Sequence, residues 1–363
     1  MLTTCPKSME YGPCGGVEFD GTCEVSPHPC VFLDVATVRW HGIAPAEITE
    51  RVTSDQDVVA RAPFPAADPV PPVIPSAGGE RMRELIATRP IVVADFPARA
   101  LDAASIAECG AILSGRVDAV LAGDAGSARV QFPPAYRASL ILAAGLTPWT
   151  GFNCRDRNRV AMEGELAALA HAGVGAVHCV TGDHTLTGSR PDAVPVFDLD
   201  STEAASLARA AGHLVSVGES PATPPVGRRA DRLLQKAAAG AEVCFVNHAG
   251  GVQPVREFIA RAHDIGVTLD YIACIPIVVD RASAELLRSF TSLALPPGYL
   301  ERILGAADPF EEGIAAAVEL AHGMLALDSV AGVNLSGGAG AGREAWFAEA
   351  LGRIADGIGV TTR

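Results

Sequence analysis

The sequence predicts an α/β chain, a (β/α)8 TIM barrel carrying a small N-terminal Cys-rich metal-binding module. Three observations carry this. Eight short β-branched runs alternate with Ala- and Leu-rich amphipathic stretches from Arg89 onward, the rhythm of a parallel barrel. Hydrophobic residues make up 49% of the chain and charged residues 19%, enough to bury a large core. Four cysteines crowd the first thirty or so residues, ahead of that rhythm.

The elements follow in chain order. Residues 1–50 form the Cys- and Gly-rich module, with Cys5, Cys14, Cys23 and Cys30. Residues 51–88 are expected to be a linker or surface strap, because RAPFPAADPVPPVIPSAGG is dense in Pro, which removes backbone donors and favours extended chain. Residues 89–363 form the barrel. Its strands are expected at 91–96, 117–123, 147–154, 176–183, 214–220, 242–247, 270–278 and 330–337, with helices such as 157–173 and 227–241 between them. An open doubly wound sheet is the alternative. It is weakened by the lack of a G-x-G-x-x-G after the first strand. The GGAGAG run at 337–342 reads as a phosphate-facing loop or a flexible one.

Composition excludes some functions. The 363 residues hold 28 Lys and Arg against 42 Asp and Glu, a formal charge of −14. Nucleic acid is therefore not expected as a partner, since phosphate binding needs concentrated basic residues. No long apolar run predicts a membrane span or a signal core, so a cytoplasmic location is expected. In that setting the nine cysteines read as thiols or metal ligands. Cys109, Cys154, Cys179, Cys244 and Cys274 lie in apolar segments and read as buried core residues.

Four thiols in one short segment of tight turns fit a structural zinc site, which needs four soft ligands. GPCGG supplies turns and free amides around Cys14. An iron–sulfur cluster is the other reading, and His28 could replace one Cys. In a TIM barrel, chemistry gathers at the C-terminal ends of the strands. The polar residues there are Asp95, Asp124, Asn153, Arg155, Asp156, Asp183, His184, Glu219, Asn247, His248 and Asn334.

Two stretches carry a family likeness. CPKSMEYGPCGGVEFDGTCEVSPHPCVF resembles the cysteine-rich module found beside or fused to methylenetetrahydrofolate reductases. CRDRNR, VTGDH, PVFDLDS, KAAAGAE, the IP of ACIPIV, and FEEGIAAAVELAHGML before GVNLSG resemble the reductase barrel itself. The resemblance implies reduction of 5,10-methylenetetrahydrofolate to 5-methyltetrahydrofolate by NAD(P)H, through FAD or by direct hydride transfer. It also implies a structural zinc. Asp183 would hold the pterin, with Asn247 and Glu219 also at the folate. Asp124, Arg155, Asp156, Thr181, Gly182, His184 and Lys236 would face the cofactor.

The departures concern the flavin and the acid. A direct alignment sets Ala94 where the family has a strand-one Glu, with Asp95 one residue on. Asp95 is thus either the substitute acid or a residue on the outer face. Ser220, Arg229 and Asp280 stand where family members have a His, an acid and an aromatic residue, so the flavin pocket reads as altered. Other readings are a non-reductive folate enzyme handling one-carbon units, and a catalytically silent partner subunit. A homo-oligomer is also possible.

Overall fold

The computed structural model describes residues 5–35, 38–40, 42, 74–124 and 127–360. Eight parallel strands close into a barrel: β3 (Ile91–Asp95), β4 (Ala119–Ala122), β5 (Pro148–Asn153), β6 (Ala176–Val180), β7 (Val215–Glu219), β8 (Val243–Val246), β9 (Asp270–Pro276) and β10 (Val330–Ser336), with β10 pairing back onto β3. All eight lie within the runs expected from sequence. Each is trimmed by a residue or more because hydrogen bonding stops before the apolar run does.

Alternation along the strands divides the core in two. Ile91, Val93, Ala119, Trp149, Ala176, Leu214, Val243, Phe245, Ile272 and Cys274 pack together along the barrel axis. The other set, such as Val92, Val120, Phe152, Val177, Val217, Cys244 and Val333, meets the helices. Those helices are α2 (Ala103–Leu113), α3 (Pro134–Ala143), α4 (Arg159–Ala172), α5 (Ser201–Ala210), α6 (Arg229–Ala238), α7 (Val252–Asp264), α8 (Arg281–Arg288), α9 (Tyr299–Leu304), α10 (Pro309–Leu325) and α11 (Glu344–Ile358). The five cysteines assigned to the core are all buried.

One expectation changes. Within the stretch 51–88 expected to be a strap, Ala77–Thr88 forms helix α1, capped by Ser76, whose hydroxyl accepts the Gly79 N–H. Residues 51–73 lie outside the described residues. Helix α1 closes the bottom of the barrel, opposite the mouth. Met82 enters the axial core, with Leu85 and Ile86 packed against it. Arg83 donates to Glu242 at 2.8 Å and to the His213 carbonyl at 2.9 Å, both at the N-terminal ends of strands. The glycines that read as linker residues serve close approach: a Cβ on Gly78 would stand 2.2 Å from the Val174 carbonyl oxygen.

The N-terminal segment holds a two-stranded antiparallel pair, β1 (Thr22–Cys23) and β2 (Ser26–Pro29). Among the described residues no helix is long and apolar enough to cross a membrane.

Gly78→Ala should force α1 off the barrel floor, because the clash is with backbone. A loss of about 3 kcal/mol, or a melting temperature lower by roughly 5 °C or more, is expected in calorimetry. A variant as stable as the wild type would mean that α1 does not seat this way.

Candidate functional site

Strand parity decides where Asp95 points. It follows Ile91 and Val93, which lie on the axis, so its side chain turns into the mouth of the barrel. Asn334 donates to it at 2.8 Å and the Gly337 N–H at 3.1 Å. The Gly-rich loop after β10 thus starts by holding a carboxylate. Burial nevertheless dominates and pushes the Asp95 carboxyl above its ordinary range, against hydrogen bonds from Asn334, Ser336 and Gly337.

A polar chain runs from Asp95 across the mouth. Asn334 reaches the Cys274 sulfur at 3.8 Å, Cys274 faces the Asn247 Oδ1 at 3.7 Å, and the Asn247 side-chain amide donates to Ser220 at 3.0 Å. The structure therefore joins Asp95 and Asn247 through two intermediates. Beneath them His178 lies against Phe245, its Nδ1 2.9 Å from the Ser216 hydroxyl. Burial, with the Lys236 charge, lowers its imidazole to about 3, so the ring is neutral.

A second group gathers Asp124, Arg155, Asp156 and Asp183 on the other part of the rim. Arg155 is fully buried. It donates to Asp124 at 2.7 Å, to Asp156 at 2.8 Å and to the Asp183 carbonyl at 3.3 Å. One guanidinium thereby fixes three successive βα loops. The Asp183 carboxylate itself stays 63% exposed, with Arg129 at 3.5 Å, and is open to a ligand. Asn153 lies beside Asp124, at 3.5 Å.

Glu219 and Lys236 do not stand open at the rim. Glu219 is buried and takes Lys236 at 2.8 Å and Arg229 at 3.2 Å. Burial opposes its charge, but these two cations hold it below the usual carboxylate range. Lys236 also donates to the Gly218 carbonyl at 2.6 Å. Glu219 and Lys236, expected at folate and cofactor respectively, are paired with each other. Lys236 as found does not fit a flavin phosphate. Asp280, in the slot of the missing aromatic, caps α8 through the Ser283 amide at 2.8 Å.

Thr181, Gly182 and His184 are held by the N-terminal module. Lys7 donates to the Gly182 carbonyl at 2.8 Å and pairs with Glu24 at 2.5 Å, both side chains buried. Burial works against the Lys7 ammonium, but the Cys14 and Glu24 charges more than offset it and hold it above its ordinary value. The His184 amide donates to Glu24 at 3.3 Å. The Thr181 hydroxyl donates to the Met9 sulfur at 3.5 Å and accepts the Ser201 amide at 3.2 Å. Farther along, Arg229 reaches the Cys14 carbonyl at 3.1 Å, and Arg232, paired with Asp200 at 3.4 Å, reaches that of Tyr11 at 3.4 Å.

Lys7, Glu24 and Arg232 were not expected at the site. Arg229, Arg232 and Lys236 recur at helical spacing along one face of α6. That stripe is the usual mark of a solvated face, yet all three are buried.

The four N-terminal thiols are free and partly exposed. The Gly16 N–H donates to the Cys14 sulfur at 3.3 Å. Burial pushes the Cys30 thiol up to about 11, the Phe32 amide opposes this, and the Cys14, Cys5 and Cys23 charges add to it. The sulfurs are thus electrostatic neighbours. Among the described residues, however, no three His, Cys, Asp or Glu side chains converge to hold a metal ion. His28, the alternative ligand, is exposed.

Comparison with known proteins bears on both parts of the chain. Residues 1–58 match the family described as the methylene-tetrahydrofolate reductase C terminal. No curated protein matches the chain. An uncharacterized protein from Clostridium thermocellum that binds two copies of 5-methyl-5,6,7,8-tetrahydrofolic acid aligns over 75% of this chain and 98% of its own, at 12% identity and a TM-score of 0.54. A 2,3-dimethylmalate lyase of the PEP mutase/isocitrate lyase superfamily covers 61% of this chain and 81% of its own, at 15% identity and a TM-score of 0.40. At such identities the likeness to the first is one of fold.

Lys7→Met should leave the Glu24 carboxylate buried without its cation, a loss of about 3–5 kcal/mol. Hydrogen exchange should then rise in residues 5–33 and 181–184 together. Adding Glu24→Gln should restore part of the protection. Faster exchange in the module alone would mean that it does not brace the loop.

Proposed function

We propose that this chain, a Cys-rich segment of the methylene-tetrahydrofolate reductase C-terminal family joined to a TIM barrel, binds a reduced folate at the barrel mouth and reduces its one-carbon unit. The reaction would convert 5,10-methylenetetrahydrofolate, NAD(P)H and a proton to 5-methyltetrahydrofolate and NAD(P)+. The single observation that carries this reading is the pair of unlike carboxylates on one rim: Asp95, held by Asn334 and Gly337 and raised above its ordinary range by desolvation, and Asp183, open and beside an arginine.

Each carboxylate has a task that its surroundings suit. A carboxyl whose pKa is raised is a better proton donor to the imidazolidine ring nitrogen as the ring opens to the iminium. The exposed Asp183 carboxylate, with Arg129 at 3.5 Å, can accept hydrogen bonds from the pterin amino and ring N–H groups, orienting the one-carbon unit. The Asn247 amide, steadied by Ser220, offers a further donor and acceptor. NAD(P)H supplies the hydride. Lys236, engaged by Glu219 and the Gly218 carbonyl, is not free to meet a flavin phosphate.

The same Lys236 favours a second reading, non-reductive handling of a folate-borne carbon. Purified protein should oxidise NADH or NADPH only when methylenetetrahydrofolate is present. Tight folate binding with no turnover, with or without FAD, would move the reading to the second. Absence of both would sink the two together.

Asp95→Asn should lower kcat by about 10²–10⁴-fold with folate affinity retained. Because the protonated form acts, wild-type kcat should be full below the raised Asp95 pKa and fall as pH rises through it. That limb should vanish in Asp95→Asn; a limb that persists would remove Asp95 as the acid.

For the metal, the proposal is one structural zinc on Cys5, Cys14, Cys23 and Cys30, drawn together on binding. Amide donation to the Cys14 sulfur is the kind of outer contact that orients a metal-ligating group. Metal analysis should find about one zinc per chain. Cys14→Ser should lose it and lower the melting temperature by about 5 °C or more. Full stability without zinc would discard the site, and iron with visible absorption would replace it with a cluster.

A further inference from the structure

A cleft of about 430 Å³ opens on the rim between the N-terminal ends of α3 and α4. Its wall charges are unevenly matched. The carboxylates all have partners. Asp124 and Asp156 take Arg155 at 2.7 and 2.8 Å, and Glu165 accepts the Ala135 N–H at the start of α3 at 2.6 Å.

The cations Arg137 and Arg157 are different. Arg137 rises from α3 with only 6% of its surface exposed. Among the described residues its guanidinium bonds to the Gly123 carbonyl and forms no ion pair. Burial lowers it to about 10, with the Asp124 charge opposing. Arg157 lies over the Phe152 ring, 5.8 Å from its centre, and donates to the Asn153 carbonyl at 3.4 Å, again with no ion pair among the described residues. Gln131 adds a buried Oε1 atom without a partner, while its amide donates to the Ala128 carbonyl at 2.7 Å.

A buried guanidinium without a carboxylate is costly. Its planar fork matches the oxygens of a phosphate or carboxylate. The cleft has room for such a group.

We propose that this cleft binds the anionic end of a small ligand, a phosphate or a carboxylate held by Arg137 and Arg157, with a donor group of that ligand reaching Gln131. The site does not depend on the folate reading, and its test needs no turnover.

The experiment is isothermal titration of the full chain in buffer free of phosphate and sulfate, with inorganic phosphate and with γ-glutamylglutamate as separate probes. At least one should bind saturably, and Arg137→Gln should weaken it tenfold or more. Phosphate binding alone assigns a phosphate-bearing ligand. Dipeptide binding alone assigns a carboxylate tail. Competition between the two assigns one shared anion site. Should Arg137→Gln fail to fold, the half-buried Arg157→Gln serves in its place, with a threefold or greater loss expected. No binding of either probe to the wild type, or equal binding to wild type and the folded variant, overturns the proposal.

Discussion

Buried positive charge must meet a counter-charge or a carbonyl, and the C-terminal rim of this barrel is organised by that demand. Parallel strands send every βα loop to one end, so cations from helices and loops converge there. Arg155 draws three loops together because it is fully buried and must satisfy its whole guanidinium. Lys236 and Arg229 fold inward onto Glu219 for the same reason. Lys7 joins the N-terminal module to the loop after β6 through Gly182 and Glu24. The module is therefore not a free appendage. It is part of how the rim neutralises itself.

Much of the fold was legible because buried parallel strands read as short β-branched runs, and eight of them leave little choice of topology. Helix α1 was hidden by its own glycines. Gly78 and Gly79 look like linker residues, yet they are there because neighbouring backbone lies where a side chain would go. Asp95 was half legible: strand alternation poses the question of its direction, and only the register with Val93 and Asn334 answers it. The pairing of Glu219 with Lys236 was not legible, because a charged position says nothing of its partner. A stripe of Arg229, Arg232 and Lys236 looks the same from sequence whether it faces water or buried carboxylates. The Cys segment was legible as a motif, but its sulfur geometry depends on a docking partner 150 or more residues away, as the Lys7–Gly182 contact illustrates.

Two carboxylates on one rim have opposite surroundings. Asp95 receives three donors, which alone would favour the anion, yet burial outweighs them. Asp183 keeps its solvent and gains Arg129. One carboxyl is thus shifted toward its acid form by burial, while the other stands in solvent beside an arginine. The loop that carries Asp183 is the same loop whose backbone Arg155, Lys7 and Glu24 hold from three directions. Fixing the backbone while leaving the side chain exposed is how a rigid frame presents a reactive group. On this view the N-terminal module contributes to the site at one remove: it supplies no group to a ligand at the mouth, but it sets the position of the carboxylate that would.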